Sequence, residues 1–324
     1  MSEIRNSELL FVKSVKDGIP NRDPLRDSDA RRIFGEEDGR ISLSDVSMKR
    51  DVRDYVLKRF SEPDSDPENR YYIFVREEKT PDGKLLGRQS LAKAIIEEAG
   101  RDREKDLEKA LLETAFDARV FGVVYSVTGT SFHYTGPVQF GWAHSLHPVE
   151  SKYVQGTVVM PSQDISDLSS EGKTQGTIWT TYIVPFAVFA MPGMINSSIA
   201  KQTGMNEQDV EVLLEGLWRG TTYRQARGRG IQQPLFLLHV EYSDPFFRIG
   251  YLEEFIQLIP SERDVWLGPN PPSSLSEVSL DVTRLGEVLS PQGSFGDRIA
   301  RVRYWVNPEL KIEGEIPGEE QEIW

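Results

Sequence analysis

An uninterrupted apolar run, Leu9-Leu-Phe-Val12 with Val15 close behind, predicts a first strand over residues 9–15. A loop rich in Pro, Asp and Arg leads to Ile41, after which the spacing turns helical, with Val52, Tyr55, Val56 and Phe60 on one side. Ser47 can cap that helix, which runs to about Phe60 and is ended by Ser61-Glu-Pro-Asp-Ser-Asp-Pro67. Residues 70–76 read as a strand, and 89–99 and 103–115 as helices separated by Gly100. Residues 118–127, rich in β-branched and aromatic side chains, read as a buried strand.

From Ser151 to Gly176 the pattern becomes polar and loop-like, and residues 178–191 return as a strand. The clearest helix follows. Asn206 is its N-cap with an acidic N3 residue, Asp209; Val210, Leu213, Leu214, Leu217 and Trp218 form its apolar face, and Gly220 is a stop. Residues 235–242 give a last strong strand. The order strand, helix, strand, strand, helix, strand predicts an α+β fold with a ferredoxin-like, RRM-like core interrupted by long insertions.

Composition narrows the class. The chain has 324 residues, 38% hydrophobic and 27% charged, which fits a globular protein with a sizeable core. Zero cysteines exclude disulfides, thiol nucleophiles and Cys-ligated zinc. The acidic start lacks the basic and apolar regions of a signal peptide. The longest apolar run, residues 183–195, is broken by Pro185, Pro192 and Gly193 and falls short of the roughly 20 residues of a membrane span. A cytoplasmic location without membrane contact is the expectation. The net charge of −13 sets a condition on any nucleic-acid function, because a bulk acidic field repels phosphate. Such a function requires cations gathered locally, since screening limits a surface charge to roughly 8 Å at physiological salt.

Two basic clusters meet the condition in sequence. Lys49, Arg50 and Arg53 fall in the first two turns of the helix that Ser47 would cap, where the macrodipole disfavours cations unless an anion is held there. The alternative is a solvated face balanced by Asp45, Asp51 and Asp54. The second cluster, Arg219, Arg224, Arg227 and Arg229, lies among glycines that allow close backbone approach. Dipole compensation at a helix C-terminus accounts for Arg219 and less well for Arg227 and Arg229. After the turn at Gly136-Pro137, alternation leaves Gln139 on the face opposite Val138, Phe140 and Trp142, where it can reach sugar or phosphate. His144 and His147, three apart in strand and turn, point to opposite faces, which argues against a shared metal; His133 and His239 complete the histidines. No P-loop lysine, nucleophile elbow or dinucleotide glycine pattern is present, so no cofactor is expected.

The stretches Phe116-Asp-Ala-Arg-Val-Phe-Gly122 and Thr135-Gly-Pro-Val-Gln-Phe-Gly-Trp-Ala-His-Ser145 resemble the signature of the CRISPR-associated Cascade backbone family, the Cas-seven subunits, in the type I-B form. Three further segments match in order: Ile19-Pro-Asn-Arg-Asp-Pro24, the run from Ser44 to Asp54, and the run from Gly176 to Gly230. At Arg22 the family usually has Gly, so this loop takes a different turn or needs no positive φ. The resemblance implies a non-catalytic subunit that polymerises head to tail along a crRNA, holds its phosphates and sugars, and leaves bases free to pair with target DNA. Copies of itself and the other Cascade subunits are the implied partners, and Asn21 and Arg22 join the expected RNA contacts. It further implies a palm over residues 1–60, 116–150 and 178–258, helical fingers over 61–115, a thumb-like loop over 151–177 and a C-terminal extension over 259–324 with an acidic tail. The thumb needs an apolar wedge, for which Met160, Ile165 and Leu168 are the candidates unless they anchor the loop to its own body. The rival reading is a RAMP-type endoribonuclease that processes guide RNA with a histidine such as His144 as general base.

Overall fold

The computed structural model describes residues 4–60, 71–100, 106–157 and 178–324. The first apolar run forms β1 (Ser7–Lys16), followed by the short β2 (Ser42–Leu43) and by α1 (Asp45–Arg59). The N-cap of α1 is Ser44, three residues earlier than expected, because Asn21 Oδ1 accepts hydrogen bonds from Ser44 N at 2.9 Å and Ser44 Oγ at 3.0 Å.

Next come α2 (Arg88–Glu98), α3 (Leu107–Thr114), α4 (Phe116–Phe121), β3 (Gly122–Val127) and β4 (Thr130–Thr135). The strand expected at 70–76 is reduced, among its described residues, to one bridge between Tyr72 and Ala115. The strand expected at 118–127 begins as helix up to Phe121, and the reason lies in two charged side chains. Residues two apart point the same way in a strand and nearly opposite ways in a helix. Asp117 must reach Phe74 N at 2.7 Å, Val75 N at 3.0 Å and Arg53 Nε at 2.8 Å, while Arg119 must reach Asp209 at 2.7 and 3.0 Å.

The chain continues through β5 (Val138–Phe140), β6 (Ala143–Ser145), β7 (Lys152–Thr157), β8 (Ile178–Ile183), β9 (Phe186–Ile195), α5 (Ser197–Thr203), α6 (Glu207–Tyr223) and β10 (Ile231–Tyr242). Part of the expected polar loop is therefore strand: Lys152–Thr157 pairs antiparallel with Ile178–Ile183. Met160, Ile165 and Leu168 lie outside the described residues. Helix α6 has the capping box of Asn206 and Asp209, but it runs through Gly220 to Tyr223. A Cβ at Gly220 would lie 2.3 Å from the Asp51 carbonyl oxygen, so this glycine serves the close crossing of α1 and α6 and not a helix stop.

The C-terminal part comprises β11 (Gln257–Ile259), α7 (Arg263–Trp266), β12 (Ser279–Asp281), α8 (Thr283–Leu289), β13 (Ile299–Val306), β14 (Lys311–Glu313) and β15 (Glu319–Glu320). The main sheet has the order β15-β13-β10-β1-β9-β6-β2, with β5 also paired to β9. Its pairs are antiparallel except β13 with β15. Helices α1 and α6 cover one face through Met48, Val52, Val56, Leu213 and Leu217, and the C-terminal elements cover the other through Trp266, Leu280 and Leu285. A separate apolar cluster joins α2, α3, β3 and β4. Because the central strands are buried on both sides, β1 reads as a continuous apolar run and not as an alternation.

Candidate nucleic-acid interface

The end of α6 and the Arg-rich loop after it meet the solvent side of α1 in a furrow made of three adjoining depressions. The first, about 360 Å³, is lined by Arg50, Arg76, Glu77, Arg88 and the apolar Phe74, Val75, Leu86 and Val124. Arg50 also lines the second, about 490 Å³, with Asp54, Lys58, Tyr223, Arg224 and Gln225. Arg224 and Gln225 pass into the third, about 710 Å³, which reaches Asp17, Arg227, Gly228 and Gly230. Six cations, Arg50, Lys58, Arg76, Arg88, Arg224 and Arg227, therefore face three carboxylates, Asp17, Asp54 and Glu77, along one trough. Arg50 and Arg224 are ion-paired with Asp54, and Arg76 with Glu78, and cations still outnumber carboxylates among the lining residues of a protein whose net charge is −13.

Two glycines, Gly228 and Gly230, are among the residues that line the third depression. A Cβ on Gly18 would lie 2.0 Å from Gly230 N, and Gly230 itself has φ +72°, so both positions need glycine. Arg22 ties this corner together, donating to Ser28 O at 2.9 Å, Thr181 Oγ1 at 2.9 Å and Gly228 O at 3.2 Å. Its φ is not positive; the left-handed residues of that loop are Asp27 and Ser28. Arg227 is exposed, and its guanidinium lies 5.0 Å from the centre of the Trp179 ring.

The predicted site residues thus divide. Arg50, Arg224 and Arg227 line the trough. Arg50 is partly exposed and paired with Asp54 at 2.6 Å. Arg229 does not reach the surface: it is buried, donating to Pro20 O at 2.9 Å and to Asp51 at 3.2 Å. Arg53 is held by the buried Asp117, and Lys49 by Asp45 at 2.9 Å, both cations beside the Phe121 ring. With Ser44 as the cap, Lys49, Arg50 and Arg53 lie beyond the first turn, where the macrodipole effect has largely decayed. Arg219 bridges to Glu215 at 2.9 Å, one turn back on α6. Asn21 is spent on the α1 cap, and Gln139 Nε2 donates to Gly136 O at 2.8 Å.

Sequence reasoning missed Lys58, Arg76 and Arg88. For Arg88 a signal existed: it is the first residue of α2, after the N-cap Gly87 and with no acidic residue in the first turn. That is the unfavourable placement of a cation expected at Lys49, which the structure puts beyond the first turn of α1.

A second cavity of about 560 Å³ lies elsewhere, lined by Glu8, Gln139, Trp142, His144, Arg248, Tyr251 and Glu253 among others. His144 Nδ1 is 2.9 Å from Ser42 Oγ, and burial followed by the nearby Arg40 guanidinium lowers its pKa. His147 is buried with its ring 3.5 Å from that of Trp266, and Val188 N donates to its Nε2 at 3.2 Å. Burial pushes its pKa down to about 4. His239 is also buried, beside Arg303 at 3.1 Å, and burial pushes it to about 3. Among the described residues no group of three or more His, Asp or Glu side chains is placed to hold a metal ion. No helix among them is long and apolar enough to cross a membrane.

Comparison with known proteins places these features in a family. The family model for CRISPR-associated protein Cas7 matches residues 5–283. The CRISPR-associated protein Cas7 of Haloferax volcanii is 27% identical over 354 residues, spanning 100% of this chain and 94% of that protein. Among solved structures, a chain of a "CRISPR RNA-guided surveillance complex, pre-nicking" superposes with a TM-score of 0.57 at 15% identity, covering 98% of this chain and 96% of that one. A chain of a second CRISPR RNA-guided surveillance complex gives 0.51 at 14% identity, covering 98% and 95%. The fold is shared with those chains, and this chain belongs to the CRISPR-associated Cas7 family.

Proposed function

We propose that this protein is a non-catalytic backbone subunit of a type I Cascade surveillance complex, of the I-B form, which binds guide RNA through phosphates and sugars. The observation that carries the reading is the trough: six cations against three carboxylates on an otherwise acidic protein of the Cas7 family. Contacts of this kind hold a strand without reading its sequence, which leaves the bases to pair with target DNA. Tyr223 and the Arg227–Trp179 pair supply ring faces beside the cationic wall, a combination suited to single-stranded nucleic acid.

The strand order β10-β1-β9-β6, with α1 and α6 on one face, supports a ferredoxin-like, RRM-like palm. The fingers are then the cluster of α2, α3, β3 and β4, and β7, within the range expected for the thumb, pairs with β8. Copies associate head to tail along the RNA in the cytoplasm, with a heterologous interface that does not close. His144 lines the other cavity, and no histidine is among the described residues that line the trough, which weighs against the histidine-based endoribonuclease reading.

The test is incubation of the pure protein with labelled repeat RNA over a salt series. Intact, bound RNA whose log affinity falls linearly with log salt supports the scaffold. Cleavage that is lost in His144→Ala would establish the enzyme instead.

A further inference from the structure

One carboxylate lies behind the trough and gathers three cations. Asp51 is on the inner side of α1 with a side-chain exposure of 0%. Its Oδ2 is 3.0 Å from Lys13 Nζ, and its Oδ1 is 2.9 Å from Arg224 Nη1 and 3.2 Å from Arg229 Nη2. Lys13 occupies the middle of the buried β1, a position where an apolar residue would pack without cost. Burial lowers the pKa of the Lys13 ammonium, against the pull of Asp51. Buried ion pairs of this sort seldom add stability over well-packed apolar residues, so stability alone gives no account of the cluster.

Three cations share this one interior carboxylate. Lys13 and Arg229 are closed off, and Arg224 is the member that opens to solvent, at 24% side-chain exposure. Its guanidinium is fixed from behind by Asp51 and by the Ser47 carbonyl at 3.0 Å, and on the trough side by Asp54 at 3.5 Å. It forms the wall common to the second and third depressions.

We propose that Asp51 is a positioning residue for phosphate capture: it holds the Arg224 guanidinium, with the charge of Lys13 and Arg229 behind it, against one phosphodiester of the bound strand. The inference rests on the RNA-binding reading above. A free arginine side chain has considerable rotamer entropy to lose on binding, and here the bonds to Asp51 and Ser47 hold it before the ligand arrives. The low dielectric behind Arg224 strengthens its attraction for an anion relative to a cation standing alone in water.

The test compares the wild-type chain with Asp51→Asn, Arg224→Ala and the double variant, by fluorescence anisotropy of a labelled single-stranded RNA across a salt series, with thermal melts alongside. Asp51→Asn should lower affinity by about tenfold and reduce the salt slope by roughly 0.7, as Arg224→Ala does, and the double variant should lose no more than either. If Asp51→Asn does not fold, Lys13→Met with Asp51→Asn removes the buried pair together and is read in the same way. A folded Asp51 variant that binds with wild-type affinity and slope, while Arg224→Ala is weakened, overturns the positioning role alone. Additive losses in the double variant overturn it as well. Wild-type protein that binds no RNA overturns the functional reading on which it rests.

Discussion

Among the described residues, the three-part trough and the single cavity of about 560 Å³ have opposite character. The trough carries six cations and three carboxylates, and its most informative residues come from the end of α6 and the loop behind it. The other cavity carries one arginine, Arg248, with Glu8 and Glu253, and it is walled by Trp142 and Tyr251. The family signature feeds the second: Gln139, Trp142 and His144 all line it, whereas none of them reaches the trough. A motif marks what a fold needs at a place, and here much of that need is internal. In the stretch from Phe116 to Gly122, both charged residues are wholly buried and hold α4 between α1 and α6.

Four predictions test this contrast. Arg119→Ala should have the largest effect, because it leaves the buried Asp209 without its charge-assisted bonds; a loss of about 3–5 kcal/mol in chemical denaturation is expected. Arg224→Ala combined with Arg227→Ala should weaken RNA binding and reduce the salt slope by about 1.4, two phosphate contacts on a single strand, with little change in the melting temperature of the Arg227→Ala single variant. An unchanged slope would remove this loop from the interface. His147 links the signature region to the C-terminal part through Trp266, and its folded pKa of about 4 lies below the ordinary 6.5. Folding therefore favours the neutral ring: its contribution is present above about pH 6.5 and is lost as the pH falls toward 4. His147→Gln should flatten that part of the decline in melts between about pH 7 and pH 4.5, while the separately buried His239 continues to contribute its own. The smallest effect is expected from Lys49→Ala, a partly buried cation one turn from the partly exposed Asp45: about 1 kcal/mol in stability, and no change in the salt slope.

The elements with strong periodicity or continuous apolar runs were legible: β1, α1, α6 and β10 are all present, with boundaries shifted by a few residues. The misses have physical causes. The α1 cap depends on Asn21, a partner more than 20 residues away that no local pattern names. Gly220 resembled a stop because a missing side chain looks the same whether it ends a helix or admits a neighbouring one. The site was read less well. Arginine spacing pointed to a loop that lines the trough but could not separate the exposed Arg227 from the buried Arg229 two residues on. Nor could it show that Asp51, counted as a balancing surface acid, is the interior partner of three cations.

The most direct measurement is photo-cross-linking of a single-stranded guide RNA to the pure protein, with the modified residues mapped by mass spectrometry. Cross-links on Tyr223, Gln225 and the Arg227–Trp179 corner are the expected result. Cross-links confined to Gln139, Trp142 and Tyr251 would contradict it and move the RNA to the other cavity.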